Sequence, residues 1–599
     1  AAEAATTAGT LPTVTVRDSA VQDGSTNSKA TVRATRTEIG KGTQALRDIP
    51  QSVTVMTEKL MQDRNLDDFR DVLRTTAGVT FLAGETGEED VRLRGFSLGT
   101  AGDIYRDGLR DAPLIERDTF NDDRVEVIKG SASMLFGKGS TGGVVNQVSK
   151  QPFLMDQHEA SVTLGSGNEK RVHGDFNWHT GQDAALRLNL MGHDADNWGA
   201  RQRKVGIAPT FRWGIGTRNE FSVGLYHLDV DGRSSYNHPW FIRDGRIVPT
   251  LPARNFYGLD SDKQNSSSTF VTLGHTHRFA DGGQLKTQLR HGRYERDLWA
   301  SVIRFGTTAG ERTTLDNWGP DTLITRTPKG RIGRSDLTQL QSDYSNSFDW
   351  GGRKHAVLAG VDFYYDDARR NNNFAGPASG LTTTVGQPNN GDWRADPRGA
   401  PAYNTFDARN IGVYVQDTVS LTDTLKLVAG LRFDHFKGSY DTVTTTAADG
   451  SVTPGYSFSK TESLWSPRVG LLWQPSETSS YYVSYGTSYN TSGDAYQFTP
   501  SSPNQALANT PAEKSRNLEI GGKWELFDQR LSVGTALFYS EKYNERNQDP
   551  DSVAQQFLLS GKRHAAGMEF NAAGRITPKW EMFWNHTWIP VAKISRSNQ

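Results

Sequence analysis

Apolar and polar residues alternate along most of the chain, from about residue 158 to its end. In KLVAGLRFDHF (426–436), Leu431 and Phe433 point to one side of an extended strand, and Arg432 and Asp434 point to the other. The same period of two recurs in LRLNL, IGVYVQ, YYVSYGTSY and NLEIGGKW. One face suits lipid and the other suits an aqueous lumen, so the pattern predicts a transmembrane β-barrel over 156–599 with about 17 strands.

Short connections alternate with long ones along these predicted strands. FADGGQ (279–284), DWGGRK (349–354) and TDT (422–424) are short, whereas 371–404 and 490–511 are long and polar. Transmembrane barrels have short turns on one side and long loops on the other. A soluble β-sandwich or propeller is the alternative, and it predicts shorter strands without lipid-facing apolar faces.

Residues 46–155 show a mixed pattern that predicts a compact α/β domain. SVTVM (52–56) alternates like a strand, and the segment 65–78 has the apolar spacing of a helix with Asn65 as N-cap and Gly78 as its stop. Further strands are predicted at 91–96, 103–110, 124–130 and 142–150, with a turn or short helix in SASMLFG.

The composition narrows the class of protein. The chain has 67 basic and 68 acidic residues and no cysteine, which excludes disulfides and thiolate metal sites and leaves no basic surplus for nucleic acid. No apolar run reaches about 18 residues, so a helical membrane protein is excluded, while a barrel is compatible with the mean hydropathy of −0.61. Residues 1–45 are mostly small and polar, which predicts a flexible tail without a signal peptide.

The segment FGKGSTGG (136–143) matches the dinucleotide fingerprint G-x-G-x-x-G at Gly137, Gly139 and Gly142. The fingerprint binds a pyrophosphate where it opens a helix, but here the alternating VVNQVSK follows, so we interpret these glycines as positions of tight turning and close packing. HExxH is absent, and His275 and His277 lack a third ligand. We therefore predict no enzyme activity, no metal site and no cofactor.

Sequence motifs in both predicted domains are shared with one family. DDRVEVIKGSASMLFGKGSTGGVVNQVSKQP (122–152), TTAGVTF, LRGF and DIYRDGLRD resemble the plug domain of TonB-dependent outer-membrane receptors, and EKSRNLEIGGKW (513–524) and GMEFNAAGRI (567–576) resemble their barrel. The ferric-siderophore receptors are the most similar branch, and RDTFN (117–121) resembles those that take up catecholate siderophores. The resemblance implies 22 strands around a plug inside the lumen. With about 17 strands counted, a longer native C-terminus is expected.

The resemblance implies a function, partners and a location. The expected function is TonB-dependent active uptake of a ferric siderophore, with the catecholate type favoured, across the outer membrane of a Gram-negative bacterium. Receptors for hydroxamate siderophores, haem or cobalamin remain alternatives, as does a passive porin, which would lack the plug and the tail. The expected partners are TonB, the siderophore, outer-membrane lipid and lipopolysaccharide, with a monomeric chain and no nucleic acid.

The resemblance also assigns residues to three sites. A TonB box, an extended segment that adds a strand to a partner's sheet, is implied at Leu11, Pro12, Thr13, Val14, Thr15 and Val16. A cluster of ion pairs between plug and barrel is implied at Arg94, Lys129, Glu519 and Glu569, with solvated, unpaired lumen charges as the alternative. Arginine and aromatic side chains suit an anionic complex with flat rings. The candidates for siderophore binding, for which an aromatic girdle or a solvated loop is the alternative role, are Gly84, Glu85, Leu98, Gly99, Thr100, Leu114, Arg117, Tyr236, Trp240, Trp299, Arg304, Trp318, Arg369 and Arg370.

Overall fold

The structure of the chain is a computed structural model. It describes residues 26–81, 91–97, 103–112, 115–139, 142–233, 235–371, 381–396, 398–447, 449–491, 511–547 and 557–597. The predicted TonB box (11–16) and the predicted siderophore contacts Gly84, Glu85, Leu98, Gly99, Thr100 and Leu114 lie outside these residues.

The N-terminal part is a small α/β domain, which we call the plug. Its strands are β1 (Arg36–Thr37), β2 (Gln44–Ala45), β3 (Val53–Thr57), β4 (Val79–Phe81), β5 (Val91–Leu93), β6 (Phe96–Ser97), β7 (Ile104–Arg106), β8 (Leu109–Arg110), β9 (Asp122–Lys129) and β10 (Gly143–Ser149). Its helices are α1 (Glu58–Asp63), α2 (Phe69–Arg74) and α3 (Ser133–Phe136), with 3₁₀ turns at Thr26–Lys29 and Leu46–Asp48. The central sheet has the order β3-β9-β10-β7-β8, and β4, β5 and β6 form a second sheet.

The strands predicted at 52–56, 103–110, 124–130 and 142–150 are confirmed to within a few residues. The strand predicted at 91–96 is instead a short hairpin that turns at Arg94 and Gly95, and the predicted helix is shorter. The N-cap is Asp68, whose carboxylate accepts a hydrogen bond from the backbone N–H of Arg70 at 2.8 Å. The prediction of Asn65 as the cap is wrong, because Asn65 has a left-handed backbone with φ of 53°. Phe69 and Leu73 of the helix are buried in the core, as their helical spacing predicted, and Leu66, which precedes the helix, is buried there as well. Among the described residues, no helix is long and apolar enough to cross a membrane.

The C-terminal part is one large antiparallel sheet with small hairpins in its loops. Its first strands are β11 (Gln157–Gly165), β12 (Glu169–Gly181), β13 (Ala184–Asn197), β14 (Ala200–Trp213), β15 (Asn219–Arg233), β16 (Trp240–Arg243), β17 (Arg246–Pro249), β18 (Lys263–Arg278), β19 (Gln284–Phe305), β20 (Thr307–Thr308), β21 (Glu311–Arg312) and β22 (Leu323–Trp350). The others are β23 (Arg353–Asn371), β24 (Thr383–Thr384), β25 (Asn404–Ser420), β26 (Leu425–Asp441), β27 (Thr445–Thr446), β28 (Val452–Thr453), β29 (Ser457–Ser476), β30 (Ser479–Asn490), β31 (Glu513–Leu526), β32 (Leu531–Asn547), β33 (Phe557–Thr577) and β34 (Trp580–Ser597).

The large sheet contains eighteen strands, which run from β11 to β34 in chain order apart from the loop hairpins. One of the eighteen, β24, has only two residues, so seventeen long strands remain, as the sequence pattern predicted. The predicted faces are also confirmed. Arg432 and Asp434 are buried, whereas Leu431 on the other face is 42% exposed. This exposed face is apolar along many strands, which is the surface that a lipid bilayer covers.

The plug lies inside the curve of this sheet. Plug residues contact strands far apart in the sheet order: Asp118 pairs with Arg171 of β12, Asp107 pairs with Arg290 of β19, and Arg94 pairs with Glu569 of β33. Because one small domain reaches all of these strands, the sheet must wrap around it. The connections at one end are short, such as 351–352 and 527–530, and those at the other end include the long segments 372–403 and 491–512.

Candidate functional site

A buried cluster of charges joins the plug to the barrel wall at Arg94. Its guanidinium donates two hydrogen bonds to Glu569, at 2.8 and 2.9 Å, and one to Glu519 at 3.1 Å. The amine of Lys129 lies 3.6 Å from Glu569. All four side chains are almost inaccessible to water. The structure thus brings together the four residues that the resemblance assigned to this cluster, which we call the Arg94 cluster.

Local backbone geometry aims these side chains at one another. Arg94 and Gly95 form the tight turn between β5 and β6, with φ of 50° and 82°, and this turn projects the guanidinium toward the wall. Its charge also lies 3.8 Å from the ring centre of Phe538. Lys129 ends β9 and donates a hydrogen bond to the carbonyl of Ala77 at 2.6 Å. Burial, together with repulsion from Arg94, holds the pKa of Lys129 below its ordinary value.

A second charged contact, at Asp118, was not predicted from the sequence. The Asp118 carboxylate accepts two hydrogen bonds from Arg171 of β12, at 2.8 and 3.0 Å, and one from Lys204 of β14 at 3.3 Å. Burial alone would raise the pKa of Asp118, but Arg171 and Lys204 hold it below its usual range. Asp118 belongs to the RDTFN segment, which the sequence analysis treated only as a mark of the catecholate branch. The aspartate in this motif was the sequence signal for such a contact, because a carboxylate that is buried in a plug needs a cationic partner.

A third contact involves Lys41, which lies on the chain between the tail and the plug core. Its amine is 4.0 Å from the ring centre of Tyr414 and 3.6 Å from Asp362, both on the barrel wall. Asp362 also pairs with Arg432 at 2.8 Å. Burial lowers the pKa of Lys41. The plug is therefore fixed to opposite sides of the wall by separate groups of charges.

The glycine-rich segment that resembles a nucleotide loop packs directly against the wall. Gly137 and Gly139 have φ of 82° and 96°. A Cβ atom on Gly137 would lie 2.6 Å from the guanidinium of Arg432. The adjacent Lys138 lies 5.2 Å from the ring centre of Phe436, which faces the lumen. The interpretation of tight turning and close packing is confirmed for these glycines.

Beyond Lys138, on the side of the long connections, the inner wall carries a basic arc and an aromatic cluster. The basic arc is Arg296, Arg331 and Arg370, which are all buried and lie on the neighbouring strands β19, β22 and β23. The aromatic cluster begins at Ala368, which lies two residues before Arg370 on β23 and is therefore nearer the plug. Ala368 is paired with Phe406 of β25. Its aromatic members, which pack on one another, are Phe406, Phe436, Tyr440 and Phe458, with Tyr456 against them.

Of the predicted siderophore contacts that the structure describes, Arg370 lies in this arc. Tyr236 is buried against Leu298, Ala300 and Val302 near the same end of β19. The ring of Trp299 is also buried, with the charge of Arg398 5.0 Å from its centre.

The other predicted contacts do not converge on the arc. Arg369 precedes Arg370 on β23, so it faces the outer side of the wall, where it lines a cavity with Glu295 and Arg334. Trp240 and Arg304 are exposed and Trp318 is half-buried. Arg304 lies near the long-loop end of β19, and the two tryptophans lie on connections at that end. The prediction for Arg117 as a siderophore contact needs a correction. The residue is buried inside the plug, where its guanidinium pairs with Asp111 at 3.0 Å. Its side chain therefore belongs to the interior of the plug.

Arg296 and Arg331 are members of the basic arc that the sequence analysis did not single out. Each has the alternating position of a lumen-facing residue, but the pattern does not show the height of a side chain along the barrel. Within the described residues, no group of three or more histidine, aspartate or glutamate side chains is arranged to hold a metal ion.

An antiparallel wall with a lipid-facing apolar surface, filled by a plug that is attached through buried charges, defines a plugged outer-membrane receptor. Two family descriptions match the chain: "TonB dependent receptor-like, beta-barrel" over residues 207–595 and "TonB-dependent Receptor Plug Domain" over residues 45–144. The chain belongs to the TonB-dependent receptors, which are β-barrel proteins of the Gram-negative outer membrane.

Individual relatives are similar over most of the chain. The probable TonB-dependent receptor BfrD of Bordetella pertussis is 30% identical over 100% of this chain and 81% of its own length. The catecholate siderophore receptor Fiu of Escherichia coli K12 is 28% identical over 91% of this chain and 75% of its own. The closed crystal form of Fiu has a TM-score of 0.82 at 25% identity, covering 93% of this chain and 82% of that one. The siderophore receptor PiuA of Acinetobacter baumannii has a TM-score of 0.83 at 23% identity, covering 95% and 83%.

Proposed function

We propose that this protein takes up a ferric siderophore of the catecholate type across the outer membrane, driven by TonB. The observation that carries the proposal is the pairing of a basic arc with an aromatic cluster on the inner wall, directly above the plug. A ferric tris-catecholate is anionic and presents flat rings. Arginine guanidinium groups and aromatic faces are the partners that such a complex requires.

The charged contacts of the plug support an active transporter over a passive pore. In the described residues, the plug lies within the curved wall and is held there by at least three separate groups of charges, so it stands in the path of a diffusing solute. Transport then needs work on the plug. We propose that the segment LPTVTV (11–16) supplies the handle, by adding a strand to the sheet of TonB. Binding at the arc would favour the state in which this segment is accessible.

The catecholate assignment is further supported by the similarity to Fiu, which is named as a catecholate siderophore receptor and aligns over 91% of this chain. Growth under iron limitation tests it. A receptor-deficient strain that expresses the full-length protein should grow on ferric catecholates and not on ferric hydroxamates. Growth on hydroxamates alone would contradict the assignment, and growth that persists without TonB would contradict active transport.

A matched pair of variants tests the position of the ligand. Arg370→Gln removes a lumen-facing charge from the basic arc, and we expect about tenfold weaker binding of a ferric catecholate, measured by tryptophan fluorescence quenching on the purified receptor. Arg369→Gln is the control, because the neighbouring side chain faces the outer side of the same strand. If the two variants bind equally well, the ligand does not contact the arc.

A further inference from the structure

Strands β19 and β22 continue beyond their neighbours in the wall at the long-loop end. β18 pairs with β19 only as far as Trp299, and β23 pairs with β22 only as far as Ile332. In the part of the chain that the structure describes, 300–305 and 324–329 then pair with each other, with β24 joining only at the tip. We call this two-stranded extension the ribbon. An isolated pair of strands is at best marginally stable in water, so the ribbon needs support from other parts of the chain.

The inner face of the ribbon belongs to the candidate siderophore site. Leu298, at its base, and Ala300 and Val302 lie on this face, where they pack against Tyr236, one of the predicted siderophore contacts. Arg331 of the basic arc is paired with Leu298 and shares its face, since paired residues of neighbouring strands point to the same side. The inner face therefore continues the wall of the site beyond the basic arc.

The outer face of the ribbon is covered by two connections, 251–262 and 383–396, which we call the collar. Ile303 and Ile324 of the ribbon lie on this face, and they pack against Tyr257 and neighbouring apolar side chains of both connections. In transmembrane barrels the long connections are extracellular. The collar is therefore a layer of protein that supports the ribbon from the side away from the lumen.

Hydrogen bonds of the backbone join the two halves of the collar. The N–H of Asn389 donates to the carbonyl of Phe256 at 2.7 Å, and the N–H of Phe256 donates to the side-chain oxygen of Asn389 at 3.1 Å. The N–H of Asp260 donates to the carbonyl of Asp392 at 2.8 Å. Because each half satisfies polar groups of the other, we expect the collar to form and to detach as one unit.

One side chain of the ribbon, Arg326, binds both halves of the collar. Its Nε donates a hydrogen bond to the carbonyl of Tyr257 at 2.6 Å. Its two terminal nitrogens donate to Asp392 at 2.5 Å and to Asn390 at 3.2 Å. The Arg326 side chain is only 1% exposed. A buried guanidinium must keep such partners, so Arg326 couples the position of the ribbon to that of the collar.

We propose that Arg326 is a positioning residue for siderophore binding, an inference that rests on the proposed function. By fixing the collar to the outer face, Arg326 keeps the ribbon in line with the wall, and so holds Tyr236 and Arg331 in place on the inner face before the ligand arrives. Groups that are already in place bind a ligand at a lower entropy cost. Arg326 is paired with Ile303 on the outer face, so it acts through the ribbon.

Uptake of radiolabelled iron as its tris-dihydroxybenzoate complex tests the proposal, in receptor-deficient cells that express the full-length protein. Arg326→Gln should raise the KM of uptake about five- to tenfold, because the apparent affinity falls with the fraction of molecules whose ribbon is in place. The maximal rate should be retained, since the plug and its contacts are unchanged. Arg243→Gln is the control, because it breaks an ion pair with Asp316 in which both side chains are exposed, and its KM should equal that of the wild type.

Asn389→Gly is a second collar variant that leaves Arg326 in place. Glycine keeps the left-handed backbone of this position, where φ is 54°, but lacks the amide that binds Phe256. It should also raise the KM. An unchanged KM in both collar variants would overturn the inference, as would an equal rise in Arg243→Gln. A lower maximal rate with an unchanged KM would show a role in folding or export and would also overturn it. If the wild type takes up no ferric catecholate, the proposed function fails, and this inference fails with it.

Discussion

Arg94→Ala removes the central cation of the contact between plug and barrel. The change leaves Glu519 and Glu569 buried, with Lys129 as the remaining cation of the cluster at 3.6 Å from Glu569. Two carboxylates then lack the three hydrogen bonds that Arg94 donates at 2.8 to 3.1 Å. Removing one partner of a buried ion pair costs about 3–5 kcal/mol, because an uncompensated charge remains. We expect attachment of the plug to weaken by about two to nearly four orders of magnitude.

Hydrogen–deuterium exchange of the detergent-solubilised receptor measures this effect. The useful reporter is β3, since the backbone N–H of Ser52, immediately before it, donates a hydrogen bond to Glu519 at 2.7 Å. Exchange in β3 should become faster in Arg94→Ala, while exchange in the central wall strands stays unchanged. Arg74→Gln is the control within the plug, because its pair with Asp71 is exposed and contributes about 0.3–0.5 kcal/mol.

A double-mutant cycle separates the pair from the desolvation of its members. Glu569→Ala leaves Arg94 with Glu519, so it should cost less than Arg94→Ala. The combined Arg94→Ala and Glu569→Ala variant should recover part of the loss, because one buried charge is removed along with its partner. The reasoning is refuted if Arg94→Ala exchanges no faster than Arg74→Gln, or if the two losses simply add.

Two further variants test the other contacts of the plug. Asp118→Asn should remove an acid-sensitive part of plug stability. Because the folded pKa of Asp118 is depressed, its contribution to stability is present above about pH 4 and is lost as the pH falls through the folded pKa. Protection of the plug against protease should therefore depend less on pH in the variant, and an unchanged pH profile would contradict this. Gly137→Ala should destabilise the plug by about 1–3 kcal/mol, because φ is 82° and the new Cβ atom would meet Arg432. Gly245→Ala, with φ of 70° and no atom within 4 Å of its Cβ, is the control in urea unfolding, and an equal loss in both would exclude the contact with Arg432.

The wall of the barrel was predictable because each strand has an alternating pattern of apolar and polar residues in its own sequence. A period of two places Leu431 outside and Arg432 inside, whatever the neighbouring strands are. Hence both the number of long strands and the orientation of their faces follow from local pattern. The structure of the plug was harder to predict from the sequence. Helix α1 has only six residues, too few to establish a helical period, and Asn65 resembles a cap although its backbone is left-handed.

The contacts between plug and wall could be predicted only where both partners lie in motifs that resemble those of the family. Arg94 and Glu569 are separated by 475 residues, and no local pattern pairs them. Asp118 shows the limit: its motif was recognised, but its partners Arg171 and Lys204 look like ordinary lumen-facing residues. The same holds for Arg296 and Arg331, since alternation gives the face of a side chain but not its neighbours across the lumen.

The distribution of apolar and charged groups explains how the plug can be both secure and removable. The main core of the plug is apolar: Phe69, Val72 and Leu73 are fully buried, and the buried members of this core all belong to the plug. Its contacts with the wall include buried ion pairs such as the Arg94 cluster, beside apolar packing in which Phe120 of the plug joins Tyr226 of the wall. Charges regain hydration when they separate into water, so buried ion pairs recover little beyond their own desolvation, whereas exposing an apolar core costs about 25 cal/mol per Å². A pull on the tail should therefore part the plug from the wall, at Lys41 and the Arg94 cluster, before it unfolds the core of the plug.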